Sequence, residues 1–265
     1  MAATSMLEIK GLGKRFPARA GREPPPWIIQ DMSFSVGAGE LLTMVGPSGA
    51  GKSTLLNIIA QIDGASAGEI VFDGERIAGT DQKALHPGLN RRIGYVTQDD
   101  NLLPWRTTID NVLFPREVQG TLDDAARAQA QELIGAVGLS GFERYYPHAL
   151  SGGMRKRAAL IRTLVYDPPM ILMDEPFAAV DAQTRTQLQE DLLRLWSLKR
   201  KTILFVTHDI TEAIALGDRA LVLTRRPAHI AAEHPIPIPR PRNIRDIFTA
   251  PGFAAIYERI RADVL

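Results

Sequence analysis

The sequence predicts an α/β fold around a mainly parallel sheet, on three observations. Leu41–Val45, Met170–Met173 and Thr202–Val206 are nearly continuous in apolar character, the pattern of strands buried on both faces. Helix-patterned stretches alternate with such runs along the chain, as layered α/β architectures require. The first buried run passes directly into a glycine-rich turn that opens a helix, Gly46-Pro47-Ser48-Gly49-Ala50-Gly51-Lys52-Ser53-Thr54. That is the phosphate-binding pattern in the strand-to-helix context that gives it meaning.

The elements follow in order. Ile28–Val36 and Leu41–Val45 are β-rich, and Lys52–Gln61 is the helix after the turn. Glu69–Phe72 and Ile93–Val96 are further short strands. Residues 99–160 lack a buried-strand pattern and read as helix and loop; within them Asp123–Val137 is alanine-rich and amphipathic, with Gly138 as its stop. A second small-residue turn, Ser151–Gly153, precedes a helix expected from near Met154. In Ala182–Leu198 the residues Leu188, Leu192 and Leu195 recur at helical spacing. Asp209 and Glu212 suit the positive end of another helix, and Ala220–Leu223 is the last buried run. The tail differs. His234–Arg242 alternates proline with other residues, so it cannot be helical and is expected as an extended, solvated surface segment before a final helix over Phe253–Ala262.

Composition narrows the function. Thirty-one Lys and Arg against 30 Asp and Glu leave a net charge of +1 over 265 residues, which argues against blanket attraction to nucleic acid or anionic lipid. There is no Cys, which excludes a disulfide framework, a thiolate metal site and a cysteine nucleophile. The sequence beginning MAATSMLEIK has no basic start followed by an apolar run, and no stretch has the roughly 18 apolar residues of a membrane span. A soluble chain that reaches a membrane only through a partner is expected. His86, His148, His229 and His234 show no metal-ligand spacing.

The glycine-rich turn carries the clearest chemistry. Phosphate oxygens need a ring of backbone N–H donors with no Cβ in the way, and the helix N-terminus adds positive potential. Lys52 supplies a movable charge to the outer phosphates and Ser53 a hydroxyl to Mg2+. Met170–Met173 ends in Asp174 and Glu175 at the carboxyl end of a buried strand, where parallel sheets present ligands. Asp174 suits Mg2+, held through water, and Glu175 suits polarising an attacking water.

With these residues on view, the chain resembles the ATP-hydrolysing subunits of ABC transporters over nearly its full length. Leu150-Ser151-Gly152-Gly153-Met154 is similar to that family's signature, with Met154 where glutamine is common. Gln98 follows Ile93–Val96 as the family's Q-loop glutamine does, and Ala178-Ala179-Val180-Asp181 stands where its D-loop is expected. His208 ends the run Thr202–Val206 as the switch histidine does, and Phe16 stands where an aromatic stacks on adenine.

The resemblance implies a P-loop NTPase: a RecA-like core with a mainly parallel sheet, an antiparallel β subdomain and an inserted helical subdomain carrying the signature. It divides the chain into an ATP-binding core (1–98 and 160–228), a helical subdomain (99–159) and a C-terminal extension (229–265). It implies ATP and Mg2+ as ligands. Gly46 to Thr54 and Phe16 would bind the nucleotide, Ser53, Gln98 and Asp174 the metal, and Glu175, His208, Lys52 and Gln98 would serve hydrolysis. Ser151, Gly152, Gly153 and Met154 would close on the ATP of a second copy in a head-to-tail dimer, with Asp181 along that interface. Met154, Ala178 and Val180 depart from common family residues without removing a charged group.

Asn101-Leu102-Leu103-Pro104-Trp105, Glu175-Pro176-Phe177, Asp181–Arg185 and Arg225-Arg226-Pro227 resemble the nitrate, sulfonate and taurine importer group. This implies a membrane permease whose short cytoplasmic helix docks near Leu103 and Trp105, an indirect link to a solute-binding protein, and a peripheral place on the cytoplasmic face of the inner membrane. An ABC ATPase of lipid trafficking or export is the alternative. A soluble ABC ATPase acting on DNA or ribosomes is disfavoured by the single motif set and the short helical insert, so no nucleic-acid partner is expected.

Overall fold

The computed structural model describes residues 5–17, 23–79 and 88–264. His86 lies outside them. In chain order the described elements are β1 (Ser5–Lys14), β2 (Ile29–Gly37), β3 (Leu41–Val45), α1 (Lys52–Ile59), β4 (Ala67–Phe72), β5 (Glu75–Gly79), α2 (Leu89–Arg92), β6 (Ile93–Val96), α3 (Thr108–Val118), α4 (Asp124–Ala136), α5 (Gly152–Leu164), β7 (Met170–Asp174), α6 (Ala182–Lys199), β8 (Thr202–Thr207), α7 (Ile210–Leu216), β9 (Arg219–Leu223), β10 (Ile230–Pro235) and α8 (Phe253–Val264). They fall into two compact units, residues 1–89 with 201–265, and residues 90–200. No helix among the described residues is long and apolar enough to cross a membrane.

The first unit contains an antiparallel sheet in the order β2-β1-β4-β5. β4 enters beside β1 only because residue 68 is glycine: its φ is +79°, and a Cβ there would lie 2.3 Å from the Gly11 carbonyl oxygen. In the same unit β3 pairs in parallel with β8 on one side and β9 on the other, and β10 adds to β9 antiparallel. All five residues of β3 are buried, as its unbroken apolar run predicts. Its one polar side chain is satisfied: Thr43 Oγ1 donates to the Arg219 carbonyl at 3.1 Å. Arg219 ties the sheet's end together through Glu40 (2.5 Å) and Glu233 (2.7 Å).

The tail corrects one expectation. The proline–arginine run is extended, but it is not simply solvated. Ile236 and Ile238 are buried, and two arginines fasten the run to the end of α7. Arg240 reaches Asp218 Oδ1 from Nε (2.9 Å) and Nη2 (2.8 Å). Arg242 donates to the carbonyls of Ile214, Gly217, Ile236 and Ile238 at 2.6–3.2 Å, and to that of Ala215 at 3.3 Å. The physical reason is that α7 ends with no basic residue in its last turn, so its terminal carbonyls need donors from elsewhere. α8 then buries Phe253, Ile256 and Ile260.

The second unit pairs β6 and β7 in parallel, Ile93 opposite Met170 and Val96 opposite Met173. α5 packs on β6 at close range: a Cβ on Gly94 would lie 2.5 Å from Thr163 Cγ2. Asp191, buried on α6, pairs with Arg157 (3.1 Å) and Arg194 (3.0 Å).

Candidate functional site

In the first unit, β3 delivers the chain into the phosphate loop. Gly46 is buried against Leu223, whose Cβ would lie 2.9 Å from a Cβ at position 46. Pro47 to Ala50 form a turn, with Ala50 N donating to the Pro47 carbonyl at 3.1 Å. Gly49 is at φ +79° and Gly51 at φ +94°, conformations that a side chain would strain. Gly51 caps α1 without a side-chain acceptor. Thr107, Asp123, Ser151, Asp181 and Asp209 each supply one to their own helices. With no side-chain cap, the N-terminus of α1 presents positive potential to a ligand's oxygens. Lys52 is buried, and its ammonium donates to the carbonyls of Gly46 (2.7 Å) and Pro47 (3.1 Å), which poises it over the loop. Ser48 and Ser53 are exposed, and Thr54 is half-buried.

Phe16 is half exposed, with the Lys14 ammonium 5.2 Å from its ring centre. It lines an open cleft of about 510 Å³ with Lys14, Arg15, Pro17 and Asp63 among its neighbours. His208 is exposed at the end of β8. The turn that presents it is fixed on both sides. Thr207 Oγ1 donates to the buried Glu212 carboxylate and accepts from Asp209 N at 3.0 Å, while Asp209 caps α7 through Thr211 N and Glu212 N.

The second unit carries the acids and the signature. Asp174 is buried at the end of β7, and Glu175 follows at φ +45°, half-buried. That left-handed backbone turns Glu175 away from the strand direction of Asp174 and stores strain at the site. Burial and then the Asp174 charge push the Tyr95 phenol upward, so Tyr95 stays protonated beside the acid. Ser151 caps α5 through Met154 N at 3.3 Å. Gly153 packs so closely on the start of α6 that a Cβ would lie 2.6 Å from Thr184 Cγ2. Asp181 caps α6 through Thr184 N at 3.0 Å, and the hydroxyl and amide of Thr184 hold its carboxyl below the usual carboxylate range.

Gln98 is exposed, and its backbone is gripped by the signature helix. Lys156 donates to the Gln98 carbonyl, Arg155 pairs with Asp100 at 3.0 Å, and Arg162 donates to the carbonyls of Asp100 (2.8 Å) and Asn101 (2.7 Å). Burial lowers the pKa of both Lys156 and Arg162. Sequence reading missed this grip. Its signal was present, because Arg155 and Arg162 are seven residues apart and therefore share a helix face. Trp105 is exposed and Leu103 is half-buried. Their loop is pinned by the buried Asn111, which accepts from Leu103 N at 2.7 Å and donates to the carbonyls of Leu103, Arg106 and Thr107.

The oxygen donors Ser53, Gln98 and Asp174 have the hard character that Mg2+ prefers. The first unit carries a glycine-rich loop with a buried lysine at a helix start, and the second carries a strand-end acid pair and a serine-capped glycine turn. Residues 29–178 match the sequence profile of the ABC transporter family, and the chain belongs to that family. The uncharacterized ABC transporter ATP-binding protein MJ0412 of Methanocaldococcus jannaschii is 44% identical over 89% of this chain and 84% of its own. The aliphatic sulfonates import ATP-binding protein SsuB of Bacillus cereus is 40% identical over 89% of each. The taurine import ATP-binding protein TauB of Pseudomonas syringae pv. tomato is 38% identical over 98% of this chain and 96% of its own. Among solved structures, the ATP-binding cassette MJ0796, described as dimeric in a post-hydrolysis state with ADP and Pi, superposes with a TM-score of 0.74 at 31% identity, covering 87% of this chain and 99% of that one. The chain is thus an ATP-binding, ATP-hydrolysing subunit of this family.

Proposed function

We propose that this chain powers import of a small solute of the nitrate, sulfonate or taurine type through a separate membrane permease, from the cytoplasmic face of the membrane. The observation that carries the reading is the near end-to-end similarity to TauB, at 38% identity over 98% of the chain. The resemblance of the Asn101–Trp105 and Arg225–Pro227 stretches supports the same branch.

In this reading the core (1–98 and 160–228) binds ATP, the helical subdomain (99–159) carries the signature, and the extension (229–265) braces the core. The amides of Gly49 to Thr54 and the Lys52 ammonium hold the β- and γ-phosphates, and Phe16 stacks on adenine. Ser53, Asp174 and Gln98 would hold Mg2+, which would supply neutralisation of charge on the phosphates. Glu175 orients and deprotonates the attacking water, and His208 contacts the γ-phosphate and holds its geometry. Ser151, Gly152, Gly153 and Met154 of a second copy close on the same γ-phosphate, with Asp181 along the seam. Loss of that phosphate then opens the dimer and moves the permease.

The test is a mild-detergent pull-down of the tagged Glu175→Gln chain from native membranes. A co-purifying polytopic permease supports the reading, and a solute-binding protein recovered through it supports the import direction. Recovery of ribosomal or DNA-bound partners without a permease overturns the transport assignment.

A further inference from the structure

Three contacts from two neighbouring segments brace the phosphate loop, one at each end and one in its middle. Leu223, the last residue of β9, fills the space beside Gly46. Ile28 fills the space beside Gly51, its Cγ2 2.9 Å from where a Cβ would stand. Between them Arg226, in the turn from β9 to β10, donates from Nε to the Gly49 carbonyl at 2.6 Å.

The turn that carries Arg226 is itself fixed. Thr224 N donates to the His229 carbonyl (3.1 Å) and Thr224 Oγ1 to the Pro227 carbonyl (3.2 Å). Ala228 is buried and exchanges backbone hydrogen bonds with the β2 approach, Ala228 N to Ile28 O (2.8 Å) and Gln30 N to Ala228 O (3.1 Å). The same short stretch around Ile28 thus touches both the Arg226 turn and Gly51. Gly49 itself has nothing within 4 Å of its would-be Cβ and sits at φ +79°, so side-chain packing does not set the direction of its peptide. That peptide is held at both of its polar ends, by Ala50 N donating to the Pro47 carbonyl (3.1 Å) and by Arg226 donating to the Gly49 carbonyl.

We propose that Arg226 is a positioning residue for ATP binding: by holding the Gly49 carbonyl outward, it orients the middle of the phosphate loop so that the loop's amides face the phosphates. Its place outside the loop, 177 residues further along the chain, makes the β9–β10 turn part of the nucleotide site. The inference rests on the reading of Gly46–Thr54 as the ATP-binding loop.

The experiment measures equilibrium binding of a fluorescent ATP analogue with Mg2+ to the full-length protein, its Arg226→Ala, Arg226→Lys and Lys52→Ala variants, together with melting of each without nucleotide. Arg226→Ala should weaken binding about fivefold to tenfold, the scale of one lost charge-assisted hydrogen bond. It should melt within about 1 °C of the parent, because an exposed side chain with one partner adds little to global stability. Arg226→Lys, which keeps a donor and its charge, should recover at least half of the loss on a logarithmic scale. Steady-state hydrolysis should show the loss in KM rather than kcat. Unchanged affinity in Arg226→Ala, no recovery in Arg226→Lys, or a loss of affinity that only follows a lowered melting temperature each overturns the proposal. Lys52→Ala separates the two levels: if it binds normally, the loop reading fails, whereas if it loses binding while Arg226→Ala does not, only the role of Arg226 fails.

Discussion

Replacing Arg242 with alanine removes the clamp at the end of α7, and its cost can be worked from the contacts. The guanidinium donates to five carbonyls, those of Ile214, Ala215, Gly217, Ile236 and Ile238. Burial, then the neighbouring Arg240 charge, draws its pKa down to about 10, so it remains charged at neutral pH and its hydrogen bonds are charge-assisted. Only a fraction of the gross strength survives exchange with water, and the emptied site admits some water in compensation, so about 2–3 kcal/mol is expected from the set. For a chain of this size that is a fall in melting temperature of about 6–10 °C. Hydrogen exchange localises the effect: amides of α7 and of the Ile236–Ile238 segment should lose protection before those of β3. Arg242→Lys, with one ammonium for the same carbonyls, should show roughly half the fall. A change of under about 1 °C in Arg242→Ala, with unchanged exchange in α7, would refute the clamp.

Three other predictions follow from the two units. Glu175→Gln should keep ATP binding, lose hydrolysis and give a dimer by light scattering; a monomer at saturating Mg-ATP counts against the sandwich. Gly153→Ala should destabilise by about 1–3 kcal/mol, because its Cβ meets Thr184 Cγ2 at 2.6 Å, and Thr184→Ser should restore much of the loss in a urea titration of the double variant. Asp181 has its folded pKa depressed by the Thr184 hydroxyl and amide, so its stabilising contribution is present above the unfolded carboxylate value and is lost as pH falls through the folded one. Thr184→Ala should move that loss to higher pH, and an Asp181 NMR titration unchanged by the substitution would refute the assignment.

The buried strands were legible because burial on both faces leaves an uninterrupted apolar run, as in β3, β7 and β8. The missed strands lack that signature. β1 is interrupted by Gly11 and Gly13, and β5 is five residues long with charges at its start. α3 was hidden by Pro115 in its last turn, and α5 begins at Gly152 because Ser151 caps it, two residues before the point the apolar pattern suggests. The phosphate loop could be read because its glycines, lysine and serine are consecutive. The bracing of Gly49 and the clamp on α7 could not, since each joins residues at least 25 positions apart through backbone carbonyls, which any residue type provides.

The basic grip on the Gln98–Asn101 segment makes α5 a lever. Arg155 and Lys156 hold the segment near one end of the helix and Arg162 holds it near the other. From Arg162 back to Ser151 the helix runs about 16 Å, so a 10° swing about the Arg162 end carries Ser151 through about 3 Å. Because two separated points are held, the segment cannot slide along the helix without breaking charged contacts. A displacement of Gln98 along the helix axis therefore either carries α5 with it or breaks those charged contacts.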